Sequence, residues 1–146
     1  MERSTTDPDD FLAALDDEDV RAAMRRLDEL IVANMPGRSR TLWEGVFWGG
    51  TEQSIIGYGD IVQPRPRGES VEWFAVGLAR QSANYSIYVN AVDDGDYLGR
   101  QYADRLGKVK VGAASIGFRR LDDVDLDVLA ELVARAHELT PPDTSA

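Results

Sequence analysis

The spacing of apolar positions divides the chain into a helical start, a β-rich middle and a helical end. Val20, Met24, Leu27 and Ile31 fall at spacings of 4, 3 and 4, which predicts an amphipathic helix with one buried face. Ahead of it, Asp7 suits an N-cap and Pro8 the first helical position, and Phe11, Leu12 and Leu15 form a short apolar stripe. Asp16 to Asp19 interrupt that stripe at a bend or a second helix start, and Asn34-Met35-Pro36-Gly37 stops the helix.

From Thr41 to Ala91 the period switches to two and the residues become aromatic and β-branched. Four strands are expected, near 41–48, 54–62, 71–79 and 84–91, separated by Gly49-Gly50-Thr51, by Gln63-Pro64-Arg65-Pro66-Arg67-Gly68 and by Gln81-Ser82-Ala83. Connectors this short imply antiparallel hairpins, because parallel neighbours need a crossover. Strict alternation would put Phe74, Val76 and Leu78 on one face with Trp73 on the other, and Ile87 and Val89 opposite Tyr88. Trp43, Trp48 and Tyr58 add to this aromatic content, and aromatics on an uncovered face would form a partner surface.

After the turn at Asp93-Asp94-Gly95, residues Tyr97 to Arg105 read as a short helix and Gly107 to Gly112 as a loop. Ala113 to Arg119 read as a fifth strand. Leu129, Leu132, Val133 and Ala136 mark the inner face of a last helix over Asp122 to Leu139, capped by Asp123 or Asp125 and ended by Thr140-Pro141-Pro142. The order predicts an α+β two-layer sandwich: an antiparallel five-stranded sheet flanked by N- and C-terminal helices. One domain spans 7–140, with 1–6 and 141–146 as flexible termini.

Composition narrows the chemistry. The 146 residues are 43% hydrophobic and 29% charged, as expected of a globular domain. Cysteine is absent, so disulfides, thiolate metal sites and a cysteine nucleophile are excluded. The formal charge of −10 argues against nucleic-acid binding, since such a surface repels phosphate backbones, and serves solubility. No apolar run reaches the roughly 20 residues of a membrane-spanning helix, and no secretory leader is visible, so a cytoplasmic protein without membrane contact is expected.

No catalytic constellation emerges. His137, the single histidine, stands in the last turn of the final helix, where an imidazolium suits the helix dipole. Ser54, Ser82, Ser86 and Ser115 lie outside any nucleophile elbow, and Gly49-Gly50 and Gly57-Tyr58-Gly59 lack the strand–loop–helix order of a phosphate-binding loop. The expectation is a non-enzymatic protein with no tightly bound cofactor. Acidic residues gather at Asp7 to Asp19 and at Asp122, Asp123, Asp125 and Asp127, where helix capping accounts for them. Crowded carboxylates also offer oxygen ligands to a hard cation. A basic corner made by Arg80, Lys108 and Lys110, at one end of the sheet, is the candidate site for a small anionic metabolite or an acidic peptide.

Four segments carry a family resemblance over roughly residues 10–137. Ser54-Ile55-Ile56-Gly57-Tyr58-Gly59, Val76-Gly77-Leu78-Ala79-Arg80 running into Tyr85-Ser86-Ile87-Tyr88, Leu106-Gly107-Lys108-Val109-Lys110, and Leu121-Asp122-Asp123-Val124-Asp125-Leu126 resemble, in order and spacing, the YdhG-like domain family. The resemblance implies a frataxin-like fold. Because one branch of the family is regarded as iron chaperones, it also implies weak iron binding by exposed acids of the first helical region. Asp16, Asp17, Glu18 and Asp19, with Glu44 from the first strand, are the candidate metal ligands, and an iron-using protein the implied partner. The chain departs from the family at Ala79-Arg80-Gln81, where a Pro-Arg-Lys run is common. It departs again at Val109 and Ala113, within the family's Gly-Lys-His-Lys-x-Gly-Lys pattern, so the basic corner here lacks a histidine.

Overall fold

A computed structural model describes residues 1–46, 52–64, 68 and 70–144. Trp48, the turn at Gly49-Gly50-Thr51 and the run Arg65-Pro66-Arg67 lie outside the described residues. In chain order the elements are β1 (Glu2–Arg3), α1 (Pro8–Ala13), α2 (Glu18–Asn34), β2 (Arg40–Val46), β3 (Glu52–Tyr58), β4 (Ile61–Pro64), β5 (Ser70–Trp73), β6 (Val76–Gln81), β7 (Asn84–Val89) and β8 (Val92–Asp93). They continue with β9 (Asp96–Tyr97), α3 (Leu98–Tyr102), β10 (Lys110–Val111), β11 (Ser115–Phe118) and α4 (Leu126–Leu139).

The helices begin where carboxylates meet free N–H groups. The Asp7 side chain accepts from the Asp9 N–H at the start of α1, Asp17 from Asp19 and Val20 at α2, and Asp125 from Asp127 and Val128 at α4. The apolar stripes of α2 and α4 then bury Met24, Leu27 and Ile31 together with Leu129, Leu132 and Val133.

The main sheet has seven strands in the order β1-β2-β3-β6-β7-β11-β10, and every neighbouring pair is antiparallel. The five expected strands form its centre as β2, β3, β6, β7 and β11. Two strands of two residues each, β1 and β10, extend the edges, and segments that short carry no readable periodicity. Leu42, Ile56, Leu78, Ile87 and Ile116 point to the face covered by the helices and complete the larger core. Trp43, Ile55, Ala79 and Tyr88 point the other way.

The second and third expected strands do not run through. Gly59 adopts φ +82°, a left-handed conformation open to glycine, and turns the chain out of the sheet after β3. β4 and β5 form a separate ribbon, paired from Ile61–Trp73 to Pro64–Ser70. The ribbon delivers Trp73 and Phe74 together onto the face away from the helices, so Phe74 does not share a side with Val76 and Leu78. Phe74 seats above Gly57 and Gly77, which are register partners across β3 and β6, and the Trp43 indole closes over Gly57 beside it. A Cβ on Gly57 would stand 2.8 Å from the Phe74 Cβ, and one on Gly77 would stand 2.6 Å from the Phe74 ring.

Both chain ends make specific contacts. Arg3 lies 4.7 Å over the Trp43 ring and pairs with Asp60 and Glu72 at 3.2 and 3.0 Å. Asp143 accepts the Ser39 N–H at 2.7 Å and the Asp60 N–H at 3.1 Å. Arg38 clamps the end of α4, donating to the His137 Nδ1, to the His137, Thr140 and Pro141 carbonyls and to Asp143.

Candidate functional site

Asp16, Asp17, Glu18 and Asp19 sit exposed at the junction of α1 and α2. The Asp17 carboxylate is committed to capping α2. Asp17 and Asp19 lie close enough to Tyr85 on β7 to act on its phenol electrostatically, although burial is the larger cause of its raised pKa. Glu44, exposed on β2, is in register with Ser54 of β3 and Glu2 of β1. From β2 to β7 is three strand spacings, roughly 14 Å, so the structure does not bring Glu44 to the four acids of the helix junction. Among the described residues, no group of three or more His, Asp or Glu side chains is arranged to hold a metal ion.

Two other charged clusters hold the fold together. Arg40 donates to both Asp28 oxygens at 2.9 and 2.8 Å, and the Tyr58 hydroxyl donates to the same carboxylate at 2.6 Å. Burial first, and then the Asp28 charge, push the Tyr58 phenol well above its ordinary pKa. The second cluster is the Arg38 clamp. Burial would raise the Asp143 pKa, but the N–H groups of Ser39 and Asp60 and the Arg38 guanidinium outweigh it and hold the carboxyl below its ordinary value.

The basic corner is partly assembled. Lys108 and Lys110 line one cleft of about 560 Å³ on the sheet face away from the helices. Trp73 and Phe74 pack with Trp43, Ile55, Ala79 and Tyr88 on one part of that face, and the cleft lies beside them over Ser86, Ser115 and Gly117. Arg80 does not join the lysines. It belongs with Val76 and Leu78 on the helix-covered side, where its guanidinium lies 4.5 Å from the Tyr85 ring centre. Gln81, one residue on, faces the cleft instead, as the period of two requires. Arg119, at the end of β11, supplies the third cation, and among the described residues Asp123 is the one carboxylate in the lining.

The floor is ordered by strand register. Lys110, Gly117, Ser86 and Ala79 form one row across four strands. The Ser86 hydroxyl donates to the Gln81 amide oxygen at 2.8 Å, and the Gln81 amide nitrogen donates to the Tyr88 hydroxyl at 2.7 Å. Gly117 leaves the space between Lys110 and Ser86 empty of side chain. Among the described residues, Lys108, Lys110 and Arg119 make no ion pair and no side-chain hydrogen bond.

Reading the sequence for motifs misses Arg119, Gln81 and Ser86. A plainer signal marks the place: Lys108 and Lys110 are the chain's two lysines, and every other basic side chain except His137 is arginine. No protein-family model, no curated protein and no solved structure matches the chain.

Proposed function

We propose that this domain is a binding module for a small anionic ligand, held in the cleft lined by Lys108, Lys110 and Arg119. One observation carries this reading. A chain with a formal charge of −10 places three unpaired cations, against one carboxylate, in a single cleft. Its volume falls within the roughly 300–1,000 Å³ typical of small-molecule sites. Ammonium and guanidinium groups attract phosphate and carboxylate, and the surrounding acidic surface disfavours long polyanions, so a small ligand fits better than a nucleic acid.

Calorimetric titration with inorganic phosphate and with citrate tests the proposal. Saturable binding is expected, weakened about tenfold or more in Lys108→Glu and Lys110→Glu, the scale of one lost charge-assisted hydrogen bond. Equal binding by the wild-type chain and both variants would refute it.

The frataxin-like assignment and the iron-chaperone role rest on the motif resemblance. Ferrous iron followed by NMR tests that role: selective broadening at Asp16, Asp17, Glu18 and Asp19 supports it, and an equal response to magnesium counts against it.

A further inference from the structure

The cleft is chemically asymmetric, and the asymmetry bears on what kind of anion it takes. Its cations stand on the outer strands and loop: Lys108, Lys110 on β10 and Arg119 after β11. Its neutral hydrogen-bonding side chains are Gln81 on β6 and Asn84 and Ser86 on β7, the inner strands, with Ser115 on β11. Between them lies Gly117, with Lys110 as its partner on one side and Ser86 on the other. Lys110 and Ser86 are therefore two strand spacings apart, roughly 10 Å between backbones. That span holds one small molecule lying across the strands.

The inner end has a defined polarity. The Ser86 proton is used on Gln81, so the Ser86 oxygen faces the cleft as an acceptor, and one N–H of the Gln81 amide remains beyond the one given to Tyr88. A second carboxylate or phosphate would meet the Ser86 lone pairs unfavourably. A hydroxyl, donor and acceptor at once, satisfies both Ser86 and Gln81. From this we infer that the ligand is a small polyhydroxylated anion, sugar-like, with its phosphate or carboxylate at the Lys108, Lys110 and Arg119 lip. Its hydroxyls lie over Gly117 against Ser86 and Gln81. The inference rests on the anion-binding reading above and adds the ligand class and its orientation.

Gly117 makes the inference testable without risk to the fold. A Cβ there would have nothing nearer than the Lys110 carbonyl oxygen at 3.8 Å and the Tyr85 carbonyl oxygen at 3.9 Å, so Gly117→Ala adds a methyl to the floor of the cleft and strains nothing.

Calorimetry with inorganic phosphate, glucose 6-phosphate, gluconate and glucose, on the full chain and on Ser86→Ala and Gly117→Ala, decides it. Either glucose 6-phosphate or gluconate is expected to bind about tenfold tighter than inorganic phosphate, and whichever does names the headgroup. Ser86→Ala should abolish that advantage while leaving inorganic phosphate binding unchanged, and Gly117→Ala should reduce it. Inorganic phosphate binding as tightly as both hydroxylated anions would overturn the inference and leave the anion site standing. An advantage that survives in both variants would also overturn it. Binding by none of the four probes would remove the anion site and the inference together. Circular-dichroism melting shows that any loss is local: Gly117→Ala is expected to match the wild-type chain, and Ser86→Ala to stay cooperatively folded with a slightly lower melting temperature for its lost bond to Gln81.

Discussion

Gly57 and Gly77 face each other across β3 and β6, and the space they leave is filled by Phe74 and, at Gly57, by the Trp43 indole; Trp73 stacks on Phe74 with ring centroids 4.4 Å apart. A side chain at either position would enter that stack. Gly77→Ala places a Cβ 2.6 Å from the Phe74 ring and 3.0 Å from Ile55. Overpacking of this kind costs about 1–3 kcal/mol. Urea unfolding of Gly77→Ala should show that loss, whereas Gly117→Ala on the same face should unfold like the parent chain. The same scale explains why Arg80 and Gln81 exchange roles relative to the motif reading. Neighbouring residues on a strand point to opposite faces, so a basic residue one position from the cleft contributes nothing to it.

At the scale of elements, α2 and α4 were legible because their causes are local. An aspartate cap and an apolar stripe at helical spacing lie within each segment's own sequence. Asp17 illustrates how such a residue attracts two readings, as cap and as metal ligand. Asp17→Ala should destabilise the protein by about 0.5–2 kcal/mol, the ordinary cost of removing an N-cap acceptor. Asp16→Ala, which removes a charge from the same cluster without breaking a cap bond, should change stability little. Thermal melts of the two variants check this, and iron titration of Asp16→Ala then probes metal binding without the confounding loss of a cap. The ribbon of β4 and β5 was not legible. Its strands read as continuations of β3 and β6, and what separates them is the left-handed turn at Gly59 together with the burial that Phe74, directly after β5, finds on a distant pair of glycines.

Across the whole molecule, the ends of the chain act as fasteners. Arg38 and Asp143 tie the segment after α4 to the start of β2 and to the turn at Asp60. The Asp143 carboxyl is held below its ordinary value near 3.8, so its stabilising contribution is fully present above that value and is lost as pH falls through the lower folded value. Asp143→Asn should therefore lower stability at neutral pH by about 1.5–3 kcal/mol, the range for hydrogen bonds to a charged group. It should also lose less stability than the parent chain on acidification below about pH 4. Urea titrations across that pH range measure both effects. Tyr58 gives the opposite sign. Its raised pKa means that its contribution is complete below the ordinary phenol value and disappears as pH rises through the folded one.

What the sequence determined by itself is whatever depends on neighbours along the chain: the capped helices, the five central strands, the antiparallel hairpins and the two lysines two residues apart. Tertiary structure decided what depends on neighbours in space. It set which part of the far face the cluster around Phe74 covers, which part remains as a cleft, and that Arg119 rather than Arg80 stands beside the lysines. The physical reason is one of range. Helix caps and strand periodicity are set by bonds between residues a few positions apart. A cleft exists only where packing elsewhere leaves a face uncovered, and that is settled by the burial of Phe74, with Trp73 stacked on it, against glycines in two other strands.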